Sequence, residues 1–178
     1  QAYDNVDMIY ILEKRENEFF ISLNERGVIL EYCKIRNKEL AQLYFAIFVK
    51  RGVTDFEFPL MTLINDIEDI EILKEYLTRE KLDDFYSVDS RTKGKINFSS
   101  ELNKIYYIDA SDNEYNLFSL PNRIFQTFYV SIVKLKTIKE WLIQLNDANG
   151  LGDQYEATLL GYSLEGLIRR VLFVTKEK

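Results

Sequence analysis

The sequence MIYILEKRENEFFISLNERGVILEYC, residues 8–33, decides the fold class of the first part of the chain. It contains three short runs of β-branched and aromatic residues, and polar residues separate each run from the next. Gly27 lies in the second polar gap, where a tight hairpin connection requires a positive φ. The stretch therefore predicts an antiparallel meander of three strands, at 8–12, 19–23 and 28–33.

The next segment predicts an amphipathic helix that starts at Asn37, a residue type favoured as an N-cap. Its apolar residues recur at helical spacing: Leu40, Leu43, Tyr44, Ile47 and Phe48. Basic residues and then Gly52 follow, in the order typical of a helix end. Gly52 is therefore predicted to lie just beyond the last helical residue.

Pro59 suits the first turn of a second helical segment, which is predicted to run to about residue 86. The apolar residues of this segment share one stripe that should face the core: Leu63, Ile67, Ile70, Leu73 and Leu77. A break near Asp69, which would divide the segment into two helices, is the alternative interpretation.

From Arg91 onward apolar and polar residues alternate, which is the pattern of strands. Strands are predicted at 95–98, 104–108 and 114–118. Residues 111–113, Ser-Asp-Asn, predict a turn between the last two strands.

The last part of the chain is predicted to be helical, because apolar residues at i, i+4 spacing follow Pro121. Thr137 and Glu140 have the spacing of a capping box, which predicts that a separate helix begins there and ends at 149–152. A further helix is predicted over 154–173, with a break at Gly161 or Gly166.

Together these patterns predict an α+β protein, in which the N-terminal meander and a central small antiparallel sheet pack with several amphipathic helices. No repeat or linker-like stretch interrupts the chain, which contains 2 Pro and 7 Gly. One compact domain over residues 1–178 is expected, with a subdivision near residue 90 as the alternative.

The composition indicates a soluble globular protein, with 47% hydrophobic and 29% charged residues. Charged residues interrupt every apolar run before the roughly 18 residues that a bilayer crossing needs, so no membrane association is expected. Cys33 is the one cysteine, and we expect it to be a buried small hydrophobic residue. A cytoplasmic location is expected, although a chain that begins at Gln1 is also compatible with removal of an N-terminal leader.

The chain contains no histidine, which excludes several kinds of site. Serine–histidine–aspartate triads, cysteine–histidine nucleophile pairs and most zinc sites need that residue. Chemistry based on carboxylates remains open, as does acid–base chemistry by lysine or tyrosine. No cofactor is indicated.

The acidic residues are concentrated in one part of the sequence. Residues 55–89 contain eleven acidic and three basic residues, a net charge of −8, whereas the whole chain carries −6. Such a surface attracts a basic partner and repels nucleic-acid backbones. The candidate binding residues are Asp66, Glu68, Asp69, Glu71, Glu75, Glu80, Asp83 and Asp84. The alternative is a merely solvated helix face.

Two other functions are weighed against this one. A magnesium-dependent hydrolase or phosphodiesterase requires convergence of carboxylates, for which the candidates are Asp83, Asp84, Asp89, Asp109 and Asp112. A nucleic-acid-associated domain would use the compact basic groups: Arg91, Lys93, Lys95, Arg169 and Arg170. No spacing demands a metal, and the sequence pI near 4.9 disfavours a general nucleic-acid binder.

The favoured hypothesis is a non-catalytic protein-binding module, inhibitor or assembly subunit that presents an acidic helical surface to a basic protein partner. The chain contains 12 Tyr and 12 Phe, and tyrosine is common in protein interfaces, so a homo- or hetero-oligomer is left open.

Overall fold

The computed structural model describes residues 8–145 and 151–162. The backbone divides into two compact units, Gln1–Thr54 and Asp55–Lys178. Both contain strands and helices, which confirms the predicted α+β class. The expectations of one domain over 1–178, or of a subdivision near residue 90, stay predictions.

The first unit contains the predicted antiparallel meander, in the order β1-β2-β3. Its strands are β1 (Met8–Arg15), β2 (Glu18–Glu25) and β3 (Val28–Ile35). Arg26 and Gly27 form the turn between β2 and β3, with φ of 51° and 83°. Two positive φ values give the connection a twist that matches that of the strands, which is why glycine is needed here. Asn24 Oδ1 accepts a hydrogen bond from Gly27 N at 2.9 Å and holds the turn.

Helix α1 (Lys38–Val53) begins as predicted, because Asn37 Oδ1 accepts a hydrogen bond from Leu40 N at 3.0 Å. It buries Ala41, Tyr44, Ile47 and Phe48. The ring of Phe48 packs edge-on against Tyr10 of β1, with centroids 5.4 Å apart.

The prediction that Gly52 terminates α1 is wrong, because the helix continues through Val53. A Cβ atom at Gly52 would lie 1.6 Å from Tyr10 Oη, so this position requires glycine for close packing. Thr54 caps the helix instead, and its Oγ1 donates a hydrogen bond to Lys50 O at 2.6 Å.

The second unit begins with two helices, α2 (Met61–Ile64) and α3 (Ile70–Arg79), and Pro59 lies in the turn before α2. The predicted break near Asp69 is confirmed, since Asp69 caps α3 by accepting a hydrogen bond from Glu71 N at 2.8 Å.

Part of the predicted apolar stripe is wrong. Leu73 and Leu77 are fully buried, but Leu63 is 50% exposed and Ile64 is buried in its place. The chain leaves the helical conformation after Ile64, so the spacing of α3 does not extend back to Leu63.

The second unit contains a four-stranded sheet in the order β4-β5-β6-β7. Its strands are β4 (Tyr86–Val88), β5 (Ile96–Ser99), β6 (Lys104–Ile108) and β7 (Glu114–Leu117). Strands β5, β6 and β7 confirm the predicted central antiparallel sheet. The prediction that helix continues to about residue 86 is wrong, because α3 ends at Arg79 and β4 pairs in parallel with β5.

Helix α4 (Ile124–Gln144) packs on this sheet, where Phe128 contacts Tyr86 and Phe98. The separate helix predicted at Thr137 is not formed, because α4 continues without interruption. Thr137 Oγ1 donates instead to Val133 O at 2.9 Å, a bond that the hydroxyl makes within a helix.

Helix α5 (Leu151–Leu159) ends before Gly161, which has a φ of 85°, so the break predicted there is confirmed. The predicted helix end at 149–152 is wrong for Leu151 and Gly152, which are helical, whereas 149, 150 and Gly166 lie outside the described residues. Within 8–145 and 151–162, no helix has the length and apolar character that crossing a bilayer requires.

Candidate functional site

All eight residues predicted to form the binding surface are exposed, and we call them the acidic surface. Glu71 and Glu75 lie on α3, and Asp69 is its N-cap. Glu80 follows the helix, and Asp83 and Asp84 lie in a short 3-10 turn. Asp66 and Glu68 lie in the connection between α2 and α3.

The sequence of α3 explains why its carboxylates point to solvent. Leu73 and Leu77, four residues apart, are completely buried, and the helix packs against α4. Glu71 and Glu75 lie away from that buried stripe. Two of the eight carboxylates, Glu71 and Glu75, are therefore displayed on a helix whose orientation is set by packing.

Two hydrogen bonds from α4 hold the chain that precedes α3. The hydroxyl of Tyr129 accepts a hydrogen bond from Leu60 N at 3.2 Å, and Gln126 Nε2 donates to Asn65 Oδ1 at 2.6 Å. Burial is the main reason why the pKa of Tyr129 is raised, so its hydroxyl stays protonated at neutral pH. These contacts anchor α2 and the start of the connection that carries Asp66 and Glu68.

The protein's own cations neutralise part of the acidic surface. Glu71 pairs with Lys74 at 2.8 Å, and Glu75 lies 3.9 Å from Arg79. Exposed pairs of this kind contribute little to stability, about 0–1 kcal/mol. Within the part of the chain that the structure describes, the other six carboxylates form no ion pair: Asp66, Glu68, Asp69, Glu80, Asp83 and Asp84.

Asp69 and Asp83 also have structural roles. Asp69 caps α3, and Asp83 Oδ1 accepts hydrogen bonds from Thr78 Oγ1 at 2.7 Å and from Tyr86 Oη at 3.4 Å. These two side chains hold the two ends of the α3 segment, so they are poor choices for testing binding alone.

Exposed apolar side chains lie among the acids. Ile72 on α3 is 47% exposed, one helical turn from Tyr76, and Leu63 is 50% exposed. The guanidinium of Arg79 lies 5.4 Å from the centre of the Tyr76 ring. Sequence reasoning assigned Leu63 to the core and missed Ile72, although its position beside the Leu73 and Leu77 stripe places it at the edge of the apolar face.

A separate pocket of about 290 Å³ lies at the polar side of the second sheet. Phe98 packs on α4, so its neighbour Ser99 points to the opposite face of β5. We call the cavity the polar pocket, and its lining consists of Asp89, Arg91, Ser99, Ser100, Glu101 and Tyr106. The sequence analysis named Asp89 as an acid of the −8 segment and as a metal-ligand candidate, and Arg91 as a nucleic-acid contact, but it did not bring the two together.

The backbone places Asp89 at the edge of the polar pocket. Its φ is 54°, in the left-handed region that aspartate tolerates better than most residues. Its Oδ1 accepts a hydrogen bond from Ser100 N at 2.7 Å, and its own N–H donates to Phe98 O at 2.9 Å. The carboxylate therefore bridges the end of β4 and the hairpin that follows β5.

The predicted basic group for nucleic acid is already paired. Arg91 Nη1 lies 2.6 Å from Asp112 Oδ1, and Lys93 Nζ lies 3.3 Å from Asp112 Oδ2. The hydrogen bond from Arg91 is the main reason why the pKa of Asp112 is lowered. Lys95 Nζ donates to Asp83 O at 3.1 Å. Arg169 and Arg170 lie outside the described residues.

Four of the five carboxylates proposed for a magnesium site have separate partners, and the fifth, Asp84, is exposed. Within the described ranges, no group of three or more Asp, Glu, Cys or His residues is arranged to hold a metal ion. Asp109 accepts hydrogen bonds from Asn113 N at 2.8 Å and Tyr115 Oη at 2.9 Å. Burial acts to raise the pKa of Asp109, but these hydrogen bonds prevail and lower it. Asp109 is therefore part of a turn.

The sequence analysis did not predict the polar cluster that Tyr107, Lys139 and Glu156 form. Glu156 on α5 is 4% exposed, accepts a short hydrogen bond from Tyr107 Oη, and lies 3.4 Å from Lys139 Nζ. Burial, followed by the charge of Glu156, raises the pKa of Tyr107 far above its usual range. Glu156 lies between apolar residues in a helix, a pattern that could have predicted a buried carboxylate. The cluster holds α5 to β6 through Tyr107 and to α4 through Lys139.

Cys33 lies on β3 and is half-buried, whereas the sequence predicted a buried residue. Burial is the main reason why the pKa of its thiol is raised to about 12, so the thiolate is scarce at neutral pH.

Comparison with protein-family models, with curated proteins and with solved structures found no match to this chain.

Proposed function

We propose that the chain is a non-catalytic protein-binding module that uses the acidic surface to bind a basic protein partner. The observation that carries this proposal is the exposure of all eight carboxylates on one continuous segment with a net charge of −8. Six of them form no ion pair within the described residues, so their charge is available to a partner.

Both the charge and the apolar residues support this function. Unpaired surface charges speed the encounter with an oppositely charged protein and orient it. Ile72 and Leu63 add exposed apolar area beside the acids, and burial of such side chains supplies the stability that surface charges lack. An inhibitor or an assembly subunit would use the surface in the same way.

A matched pair of triple variants tests the proposal. The first removes three exposed charges at the acidic surface: Glu68→Gln, Glu75→Gln and Glu80→Gln. The control removes three exposed charges from the first unit: Glu16→Gln, Glu25→Gln and Glu39→Gln. Both variants have the same net charge, so any difference in their peptide binding depends on where the charges were removed.

The assay is the fluorescence anisotropy of a labelled peptide of about 20 residues that is rich in Lys, Arg and Leu. At about 0.5 kcal/mol for each charge, the surface variant should weaken binding roughly tenfold, and the control should have little effect. Raising the salt concentration should weaken binding to the parent chain. Equal losses for the two triple variants would show that net charge alone attracts the peptide, and the proposal would be wrong.

A further inference from the structure

We infer that the polar pocket receives a single arginine side chain of the basic partner, an inference that rests on the proposed function. The pocket would add a specific contact to the diffuse attraction of the acidic surface. Its charge, its polar atoms and its position each support this assignment.

The net charge of the polar pocket is negative. Its charged lining residues are Asp89, Glu101 and Arg91, and Arg91 is paired with Asp112 at 2.6 Å. Asp89 and Glu101 form no ion pair within the residues that the structure describes. The pocket therefore favours a cation, and an anionic ligand such as a phosphate would meet two carboxylates.

The polar atoms of the pocket fit a guanidinium better than an ammonium. A guanidinium presents five N–H donors in a plane and binds carboxylates through two parallel hydrogen bonds. Because Asp89 Oδ1 is held by Ser100 N, the second oxygen of this carboxylate is fixed in direction. Glu101 is exposed in the hairpin turn and supplies another acceptor, and Ser99 adds a hydroxyl oxygen.

The pocket is large enough for this side chain. A volume of about 290 Å³ exceeds that of one guanidinium and leaves room for its alkyl stem along the flat wall formed by Tyr106. Lys104 Nζ lies 5.1 Å from the centre of that ring, and Glu114 at 2.6 Å neutralises its charge.

The pocket lies next to the acidic surface. Asp89 is the last acidic residue of the −8 segment. Asp83 and Asp84 of the acidic surface lie in the turn that leads into β4, and Asp89 directly follows that strand. Since three strand residues span about 10 Å, one extended basic segment can contact both ends of β4 together.

The first experiment titrates the full chain with N-acetyl-arginine methylamide, which has one positive charge and no carboxylate. Two-dimensional NMR should detect binding in the millimolar range, on the order of the affinity of a fragment with a few good contacts. Shifts are expected for residues 89, 99–101 and 106. The corresponding lysine derivative should bind more weakly.

Glu101→Gln is the decisive variant, because this exposed turn residue can change without disturbing the core. It should weaken the binding of the arginine derivative roughly tenfold, while the matched control Glu16→Gln should leave it unchanged. Asp89→Asn is a second variant and should weaken binding in the same direction. Absence of binding, or binding that is indifferent to Glu101→Gln, would overturn the inference.

The triple variant of the acidic surface separates the two proposals. If the arginine derivative does not bind but the basic peptide still depends on Glu68, Glu75 and Glu80, the pocket inference is wrong and the proposed function stands. If the arginine derivative binds through Glu101 but the peptide ignores those three residues, the pocket is supported and the proposed function is overturned.

Discussion

Replacing Lys139 with Met should destabilise the second unit more than replacing Glu156 with Gln, although each change breaks the same ion pair. Lys139 Nζ lies 3.4 Å from Glu156 Oε2. The two partners differ in burial, because the side chain of Glu156 is 4% exposed and that of Lys139 is 32% exposed. Because Glu156 is the more buried partner, removing Lys139 should lower the free energy of unfolding more than removing the charge of Glu156.

The expected loss in the free energy of unfolding depends on which charged group remains after each substitution. Lys139→Met removes the ammonium group that lies 3.4 Å from the buried carboxylate of Glu156, and loss of one partner of a buried ion pair costs about 3 kcal/mol. In Glu156→Gln the amide oxygen still accepts from Tyr107, and the ammonium group of Lys139 can reach water. Because solvent can stabilise the ammonium group of Lys139 when the ion pair is lost, we expect Glu156→Gln to lower the free energy of unfolding by about 1 kcal/mol.

Urea denaturation followed by the fluorescence of Trp141 measures both costs, because this tryptophan lies on α4 and is 8% exposed. Each variant should shift the midpoint and leave the m-value unchanged. Tyr107→Phe is the control for loss of the hydroxyl, at about 1 kcal/mol. A cost for Glu156→Gln equal to or greater than that for Lys139→Met would refute the reasoning.

Three further predictions concern single positions. Gly52→Ala should lower the free energy of unfolding by about 1–3 kcal/mol, because its Cβ would meet Tyr10, and adding Tyr10→Ala should make the effect of Gly52→Ala smaller. Cys33 should react with iodoacetamide at pH 8 roughly 50-fold more slowly in the folded than in the unfolded chain, because its pKa rises from 9.0 to about 12 and the greater nucleophilicity of the thiolate offsets only part of the loss of thiolate. The lowered pKa of Asp109 means that its contribution to stability is present above its ordinary pKa of 3.8 and is lost as the pH falls through the folded value. Asp109→Asn should therefore lose less stability than the parent chain between about pH 5 and pH 2.

Each of these has an outcome that would contradict it. Gly52→Ala with unchanged or higher stability would mean that helix propensity outweighs the contact with Tyr10. Equal labelling of Cys33 in the two states would show that the thiol is accessible. Parallel acid-unfolding curves for Asp109→Asn and the parent chain would show that the hydrogen bonds at this turn do not favour the carboxylate.

Much of the fold was predictable because its signals are local. The meander follows from alternation within each strand and from the polar gaps, and Asn37 identifies the start of α1. Asp69 likewise identifies the start of α3. Each of these signals comes from residues within one helical turn or one hairpin, so no knowledge of distant contacts is needed.

The missed features depend on contacts between distant residues. Gly52 resembles a helix terminator, but glycine is needed there because a Cβ atom would overlap the side chain of Tyr10, which is 42 positions away in the sequence. Strand β4 has three residues, too few to show alternation, and it forms only by pairing with β5. Glu156 becomes a buried partner of Tyr107 only after α5 packs. The polar pocket likewise unites a strand end, a loop and a hairpin turn.

The order of the first sheet has a consequence for folding. In β1-β2-β3 every pairing joins strands that are adjacent in the sequence, and two-residue turns connect them. Ordering this sheet therefore closes only short loops, and individual hairpins form in roughly 1–10 μs. During synthesis, the meander can begin to pair while most of the second unit has yet to leave the ribosome.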